Sequence, residues 1–263
     1  WYGASTGATE TYNGTNWSEV NDMIIPRRAH MGAGTQNAAL AIGGYKDTNH
    51  NPSGNPAATP TMDCNVELWN GTNWSNNGQA PAVLKRGAAA GTINTTLVFG
   101  TSTNKTETYE WNGSSWSAGA DLPAARSNLR GSGTQDAGIL FGGTTNTSQI
   151  GIEYNAPSFA YTPGAAHDAT GGCGMGVGGT QNAAILAGGY SNTDTTSDQT
   201  YEWNGVSFSQ TANLGTGRCT GDIADGSQSS FQVSSGGSFS STTCKKTEQY
   251  TTTGIGCHCI GGV

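Results

Sequence analysis

The chain has 263 residues, a net charge of −7 and 11% charged side chains, against about 25% in ordinary globular proteins. Nucleic-acid binders carry a basic stripe and a membrane-spanning helix needs about 18 apolar residues in a row, so the reading excludes nucleic acid as a partner and membrane insertion. With 41 glycines and only 34% hydrophobic residues, in a chain rich in Asn, Thr and Ser, helix interiors are disfavoured and short strands with tight turns are expected.

The chain opens at Trp1 without an initiator Met, which reads as a processed product or a piece of a longer chain. Trp1-Tyr2-Gly3 looks like the end of a strand. Thr9 to Tyr12 and a strand around Trp17 follow, joined by Asn13-Gly14-Thr15-Asn16. Ala29 to Thr35, the tip Gln36-Asn37 and Ala38 to Gly43 then make a hairpin, here labelled strands a and b. A long loop, Lys46 to Asp63, carries Pro52, Pro56 and Pro60 before Val66 to Trp69 (strand c) and the strand of Trp74 (strand d). The same order returns at Gly87 to Thr92, Thr95 to Phe99, Thr106 to Trp111 and Trp116. It returns again over 129–143 with Tyr154 and Phe159, and over 174–190 with Trp203 and Phe208. A worn a–b pair spans 219–237. The interval is roughly 42 to 57 residues, near the ~50 of kelch repeats, and the Asn-Gly pairs are expected to supply type I′ hairpin turns.

Such sheets bury both faces only by standing side by side, which accounts for the recurring Trp, Tyr and Gly-Gly as structural. The expected fold is all-β: a five-bladed kelch-like β-propeller of four-stranded antiparallel blades spanning 1–250, closed by the N-terminal strands, with 251–263 as a Cys/Gly-rich tail. Lys246 to Tyr250 is then left over as an extra edge, a competitor for the closing place or a strand offered to a neighbour. The Gly-Gly ending b, the aromatic of c and the Trp of d resemble the kelch repeat over nearly the whole chain. The wording Asn-Gly-Thr-Asn-Trp-Ser resembles repeats in structural proteins of marine bacteriophages, especially those of cyanobacteria. That resemblance implies a non-enzymatic virion or extracellular component, such as a head decoration, a fibre or an adhesion module. The implied partners are other virion or filament subunits, copies of itself included, or a cell-surface glycan. A secreted carbohydrate-active propeller, either a lectin or a galactose-oxidase-like enzyme, is the alternative.

In an up-and-down blade the b–c loops and d–a linkers share the face that varies, and variable loops on a rigid scaffold are where binding usually lives. Arg27, Arg28, Arg86, Arg126 and Arg218 stand in linkers before strand a, and Arg130 within one. Guanidinium groups there either bind a carboxylate or sulfate bidentately or hold the linker down through backbone carbonyls. The binding candidates are Arg28, Arg86, Arg126 and Arg218, with Lys46 and His50 from the long loop. Six cysteines in such a composition lean towards an oxidising compartment. Repeat position pairs Cys173 with Cys219, and closure of the ring pairs Cys64 with Cys244. No catalytic residues, metal ligands or cofactor emerge: the histidines form no spaced ligand pair, and no Tyr/Cys/His copper site assembles.

Overall fold

The structure, a computed structural model, describes residues 6–46, 61–100, 105–143, 150–166, 173–190, 196–215, 217, 222–227, 230–234, 236–237, 243–244, 247–251 and 254–258. Among them there is no helix, and the strands follow the repeat. In chain order they open with the hairpin β1 (Thr9–Tyr12) and β2 (Trp17–Val20). Next come β3 (Arg27–Arg28), β4 (Met31–Thr35), β5 (Ala38–Ile42), β6 (Tyr45–Lys46), β7 (Thr61–Met62), β8 (Asn65–Trp69) and β9 (Trp74–Gln79). The second repeat gives β10 (Ala88–Thr92), β11 (Thr95–Phe99), β12 (Thr108–Trp111) and β13 (Trp116–Ala118). The third gives β14 (Leu129–Gly133), β15 (Ala137–Gly142), β16 (Ile150–Asn155) and β17 (Ser158–Ala166). The fourth gives β18 (Cys173–Thr180), β19 (Ala183–Tyr190), β20 (Thr200–Trp203) and β21 (Phe208–Gln210). The last stretch holds β22 (Asp222–Ser227), β23 (Ser230–Ser234), β24 (Gly236–Gly237), β25 (Thr243–Cys244), β26 (Thr247–Thr251) and β27 (Gly254–His258).

Five antiparallel four-stranded sheets result, in the orders β4-β5-β8-β9, β10-β11-β12-β13, β14-β15-β16-β17, β18-β19-β20-β21 and β22-β23-β26-β27. Their first strands pack each against the next, from β4 through β10, β14 and β18 to β22. The arrangement is β-propeller-like.

The turn wording has a physical cause. Asn13, Asn70, Asn112 and Asn204 each accept two backbone N–H bonds through Oδ1, at 2.8–3.0 Å, from the residues two and three positions on. This Asx capping differs from the expected type I′ turn, which needs positive φ at both central residues. Only the glycine is left-handed, at φ of +88° to +93°.

The aromatic and Gln positions tie the sheets together. In strand c the indoles of Trp69, Trp111 and Trp203 donate to the a–b tip carbonyls of Gln36, Ile93 and Gln181 at 2.8–2.9 Å. Each strand-c aromatic also packs on its strand-d partner, with ring centroids 4.6–5.4 Å apart from Tyr12–Trp17 to Trp203–Phe208. The tip glutamine of one sheet reaches back to the previous one. Gln135 Nε2 donates to the carbonyls of Thr96 and Trp111 at 3.2 and 2.9 Å, and Gln181 Nε2 to those of Gly138 and Tyr154 at 3.4 and 3.0 Å.

Between sheets the buried apolar faces meet in three clusters, built around Leu40–Ile42–Trp111, Phe99–Leu140–Tyr154 and Phe141–Leu186–Trp203. Each such side chain contributes about 1.5–3 kcal/mol on burial. The repeated aromatics are therefore structural.

Closure differs from expectation. The leftover segment near Lys246–Tyr250 becomes β26, strand c of the last sheet, paired with β23. Gly254–His258, read as tail, becomes its strand d, β27. The N-terminal hairpin therefore does not complete that sheet, and β1 and β2 pair only with each other. The Cys64–Cys244 bridge rested on that closure and is not formed: Cys64 is a free thiol. Cys173 opens β18, while Cys219 lies outside the described residues.

One carboxyl in this framework gives a pH prediction. Glu153 in β16 is partly buried, and burial pushes its carboxyl up, against a smaller downward pull from an Asn155 hydrogen bond. The folded chain thus holds this proton more tightly than the unfolded chain does. That contribution is present below the ordinary carboxylate range and is lost as pH rises through the raised value. Glu153→Gln should therefore melt higher than the parent near pH ~7, with the gain vanishing at about pH 4 and below. Equal melting temperatures near neutrality would remove the strain assigned to this carboxylate.

Candidate functional site

The linker arginines separate into two kinds. Arg27 is 1% exposed. Its Nη1 donates to the carbonyls of Gly43 and Asn65 at 3.0 and 2.8 Å, its Nε to Ile25 at 3.3 Å, and its Nη2 to the Glu67 carboxylate. Asp63 lies 4.0 Å away on the same Nη2, and Lys46 Nζ is 3.7 Å from Asp63 Oδ1. Two buried carboxylates and two cations balance there. Arg126 repeats the arrangement in the third sheet: it is 5% exposed and its Nη1 donates to Gly142 at 3.2 Å.

Arg126 thus differs from an exposed binding cation: its guanidinium is buried and pins the linker from inside. Lys46 pairs with Asp63 from the surface, its side chain partly exposed. Arg130 lies in β14 and donates to the Leu129 carbonyl at 3.1 Å.

Arg28 and Arg86 behave otherwise. The long loop begins and ends as a ribbon, with β6 paired to β3 on one side and β7 on the other, so Arg28 stands opposite Tyr45. From the next repeat's linker, Leu84 accepts the Gly44 N–H at 2.7 Å, which brings Lys85 and Arg86 to the same place. The Tyr45 ring centre then lies 4.2 Å from Lys85 Nζ, 5.7 Å from Arg28 Cζ and 5.8 Å from Arg86 Cζ.

Three cations around one ring draw some compensation from its quadrupole, about 0.5–1 kcal/mol each at exposed sites. Their mutual repulsion opposes it. Among the described residues Lys85 and Arg86 have no carboxylate within ion-pair distance. The Arg86 side chain is exposed, whereas Lys85 is 8% exposed. Guanidinium groups can pair a carboxylate or sulfate in bidentate fashion, and the exposed one of the three cations is Arg86.

Of the expected residues, then, the structure gathers Arg28 and Arg86, with Lys46 in the adjoining strand. His50 and Arg218 lie outside the described residues. Lys85 and Tyr45 were missed. The available signals were the Lys85-Arg86 pair in one linker and the Tyr that follows Gly-Gly here and at Tyr190. Among the described residues, no three His, Cys, Asp or Glu side chains cluster as metal ligands.

No family model and no curated protein matches the chain. Among solved structures it is similar to that of YjhT, with a TM-score of 0.75 at 12% identity over 96% of this chain and 91% of that one. At that identity the likeness is one of fold, and it agrees with the β-propeller-like arrangement of the sheets.

Proposed function

We propose that this protein is a non-catalytic recognition module of a virion or another extracellular structure, which engages an acidic cell-surface glycan through the face carrying Tyr45. The supporting observation is the convergence of Arg28, Lys85 and Arg86 on one ring in a chain of net charge −7. A chain so poor in cations concentrates three of them where the loops vary, beside the stem of its longest loop. The rigid sheets behind the site change nothing when the loop changes, which suits a scaffold that exchanges partners. The phage-like wording of the repeats supports the setting: a decoration, fibre or adhesion module.

Calorimetric titration with sulfated, carboxylated and neutral oligosaccharides tests this reading. Acidic sugars should bind, with affinity falling as salt shortens the Debye length below ~10 Å. Arg86→Ala and Lys85→Ala should each weaken binding about tenfold, or ~1.4 kcal/mol, while leaving the circular dichroism unchanged. Equal binding of neutral sugars, or of the two variants, would sink the site. Turnover of any such sugar by the protein would sink the non-catalytic reading.

A further inference from the structure

Strand register sets an apolar side chain beside the cations. Strands β3, β6 and β7 form one antiparallel ribbon, in which Arg28 stands opposite Tyr45 and Tyr45 opposite Met62. Residues directly opposite one another share a face, with Cβ atoms about 4.5–5.5 Å apart. The other face of the ribbon carries Arg27, which is 1% exposed and turned into the molecule. The row Arg28–Tyr45–Met62 therefore faces outward, running from a guanidinium through a phenol ring to a thioether.

Exposure singles out Met62. Of the four methionines, Met23, Met31 and Met175 are buried, whereas Met62 is 51% exposed. Val83, 39% exposed, stands in the linker that brings Lys85 and Arg86 to Tyr45. It directly precedes Leu84, whose carbonyl takes the Gly44 N–H. One exposed apolar side chain by itself needs no explanation. Here two of them border the same three cations, and neighbouring strands lie only about 4.8 Å apart. Such a margin suits a ligand in which an acid and an alkyl group are close neighbours.

We propose that Met62 forms an apolar subsite next to the cationic cluster, and that the ligand is an acidic sugar with an alkyl substituent, such as an O-methyl ether, beside its carboxylate or sulfate. This rests on the acidic-glycan reading above and sharpens it. The acid pairs with the exposed Arg86, and the methyl group leaves water against Met62, whose unbranched, polarizable side chain adapts to the contour it meets. A subsite of hydrogen-bonding groups would disfavour the same ether, because methylation removes a hydroxyl donor and leaves its partner unpaired.

The test is calorimetric titration of the full chain with carboxylated and sulfated oligosaccharides and with their O-methylated counterparts. The methyl ethers should bind about fourfold tighter, the ratio that burial of one methyl group gives. Met62→Gln, at an exposed position, should erase the preference and leave affinity for the unmethylated sugars as in the parent. Brief peroxide treatment asks the same question without a substitution. The exposed thioether should oxidise to the polar sulfoxide before the three buried ones, the preference should vanish, and a methionine sulfoxide reductase should restore it. Equal binding of methylated and unmethylated sugars by the parent, or a preference that survives Met62→Gln, overturns the subsite and leaves the acidic-glycan reading standing. Binding of none of these sugars overturns both.

Discussion

Arg27→Leu should cost about 3–5 kcal/mol of folding free energy, a large share of the 5–15 kcal/mol typical of a whole domain. The substitution leaves the Glu67 carboxylate, 1% exposed, without its guanidinium partner, and takes the guanidinium donor from the carbonyls of Gly43 and Asn65. The chain contains its own control. In the second repeat the Arg27 slot is filled by Leu84, which is 0% exposed, and strand c carries Tyr109 where the first carries Glu67. An apolar side chain is therefore tolerated in this slot when no buried carboxylate faces it. Combining Arg27→Leu with Glu67→Tyr should recover part of the loss, giving a coupling of about 1–3 kcal/mol between the two sites. Recovery stays incomplete because Glu67 also accepts the N–H groups of Ile24 and Ile25 at 2.7 and 3.1 Å. Urea unfolding of the two single variants and the double variant measures this. Strict additivity would mean that the ion pair is incidental.

The strands and sheets were legible because their signals are local. An Asn-Gly turn between two aromatics, or a Gln-Asn tip before four apolar residues, specifies a hairpin wherever it occurs. The partner of β23 was not legible, because two segments carry strand-c alternation: Thr9–Tyr12 and Thr247–Thr251. Pairing β23 with the nearby β26 closes a short loop, whereas pairing it with β1 closes nearly the whole chain. Before the intervening sheets form, that difference is worth about 2–3 kcal/mol of loop entropy. A repeat alignment contains no such term.

The site was half legible for a related reason. Arginines before strand a look alike in sequence, yet one residue of offset separates a buried clamp from a surface cation. Arg27 and Arg126 share a slot facing the glycine carbonyl that ends strand b. Arg86 instead falls at the left-handed position it shares with Ala29 and Asn128, at φ of +53° to +57°. Backbone bonds link these three positions: Arg86 N–H to Ala29 O at 3.1 Å and Asn128 N–H to Arg86 O at 2.6 Å. Side chains at this position leave the sheet stack, which is why Arg86 is exposed while Arg126 is buried. Tyr45 and Lys85 come together only through packing between two repeats, and no single phrase encodes that.

A close approach between repeats makes Gly43→Ala the second large effect. Gly43 has φ +65°, and an added Cβ would lie 2.0 Å from the Leu84 carbonyl oxygen. Left-handed backbone alone costs an alanine roughly 1–2 kcal/mol. The clash is with backbone, so the Leu84 linker must move as well, and the total should exceed about 3 kcal/mol. Gly14 separates the two contributions. It has φ +93° but nothing within 4 Å of an added Cβ, so Gly14→Ala should show only the conformational cost, roughly 1–2 kcal/mol. The two variants also differ at the candidate site. The Gly44 N–H bond to Leu84 at 2.7 Å holds Lys85 and Arg86 against Tyr45. Pushing the linker outward should therefore lower the affinity of Gly43→Ala for acidic oligosaccharides, at a temperature where the variant is still folded, while Gly14→Ala binds as the parent does. Equal destabilisation of the two variants in urea would show that Leu84 yields freely. Gly-Gly would then be a turn device rather than the contact that builds the cationic cluster.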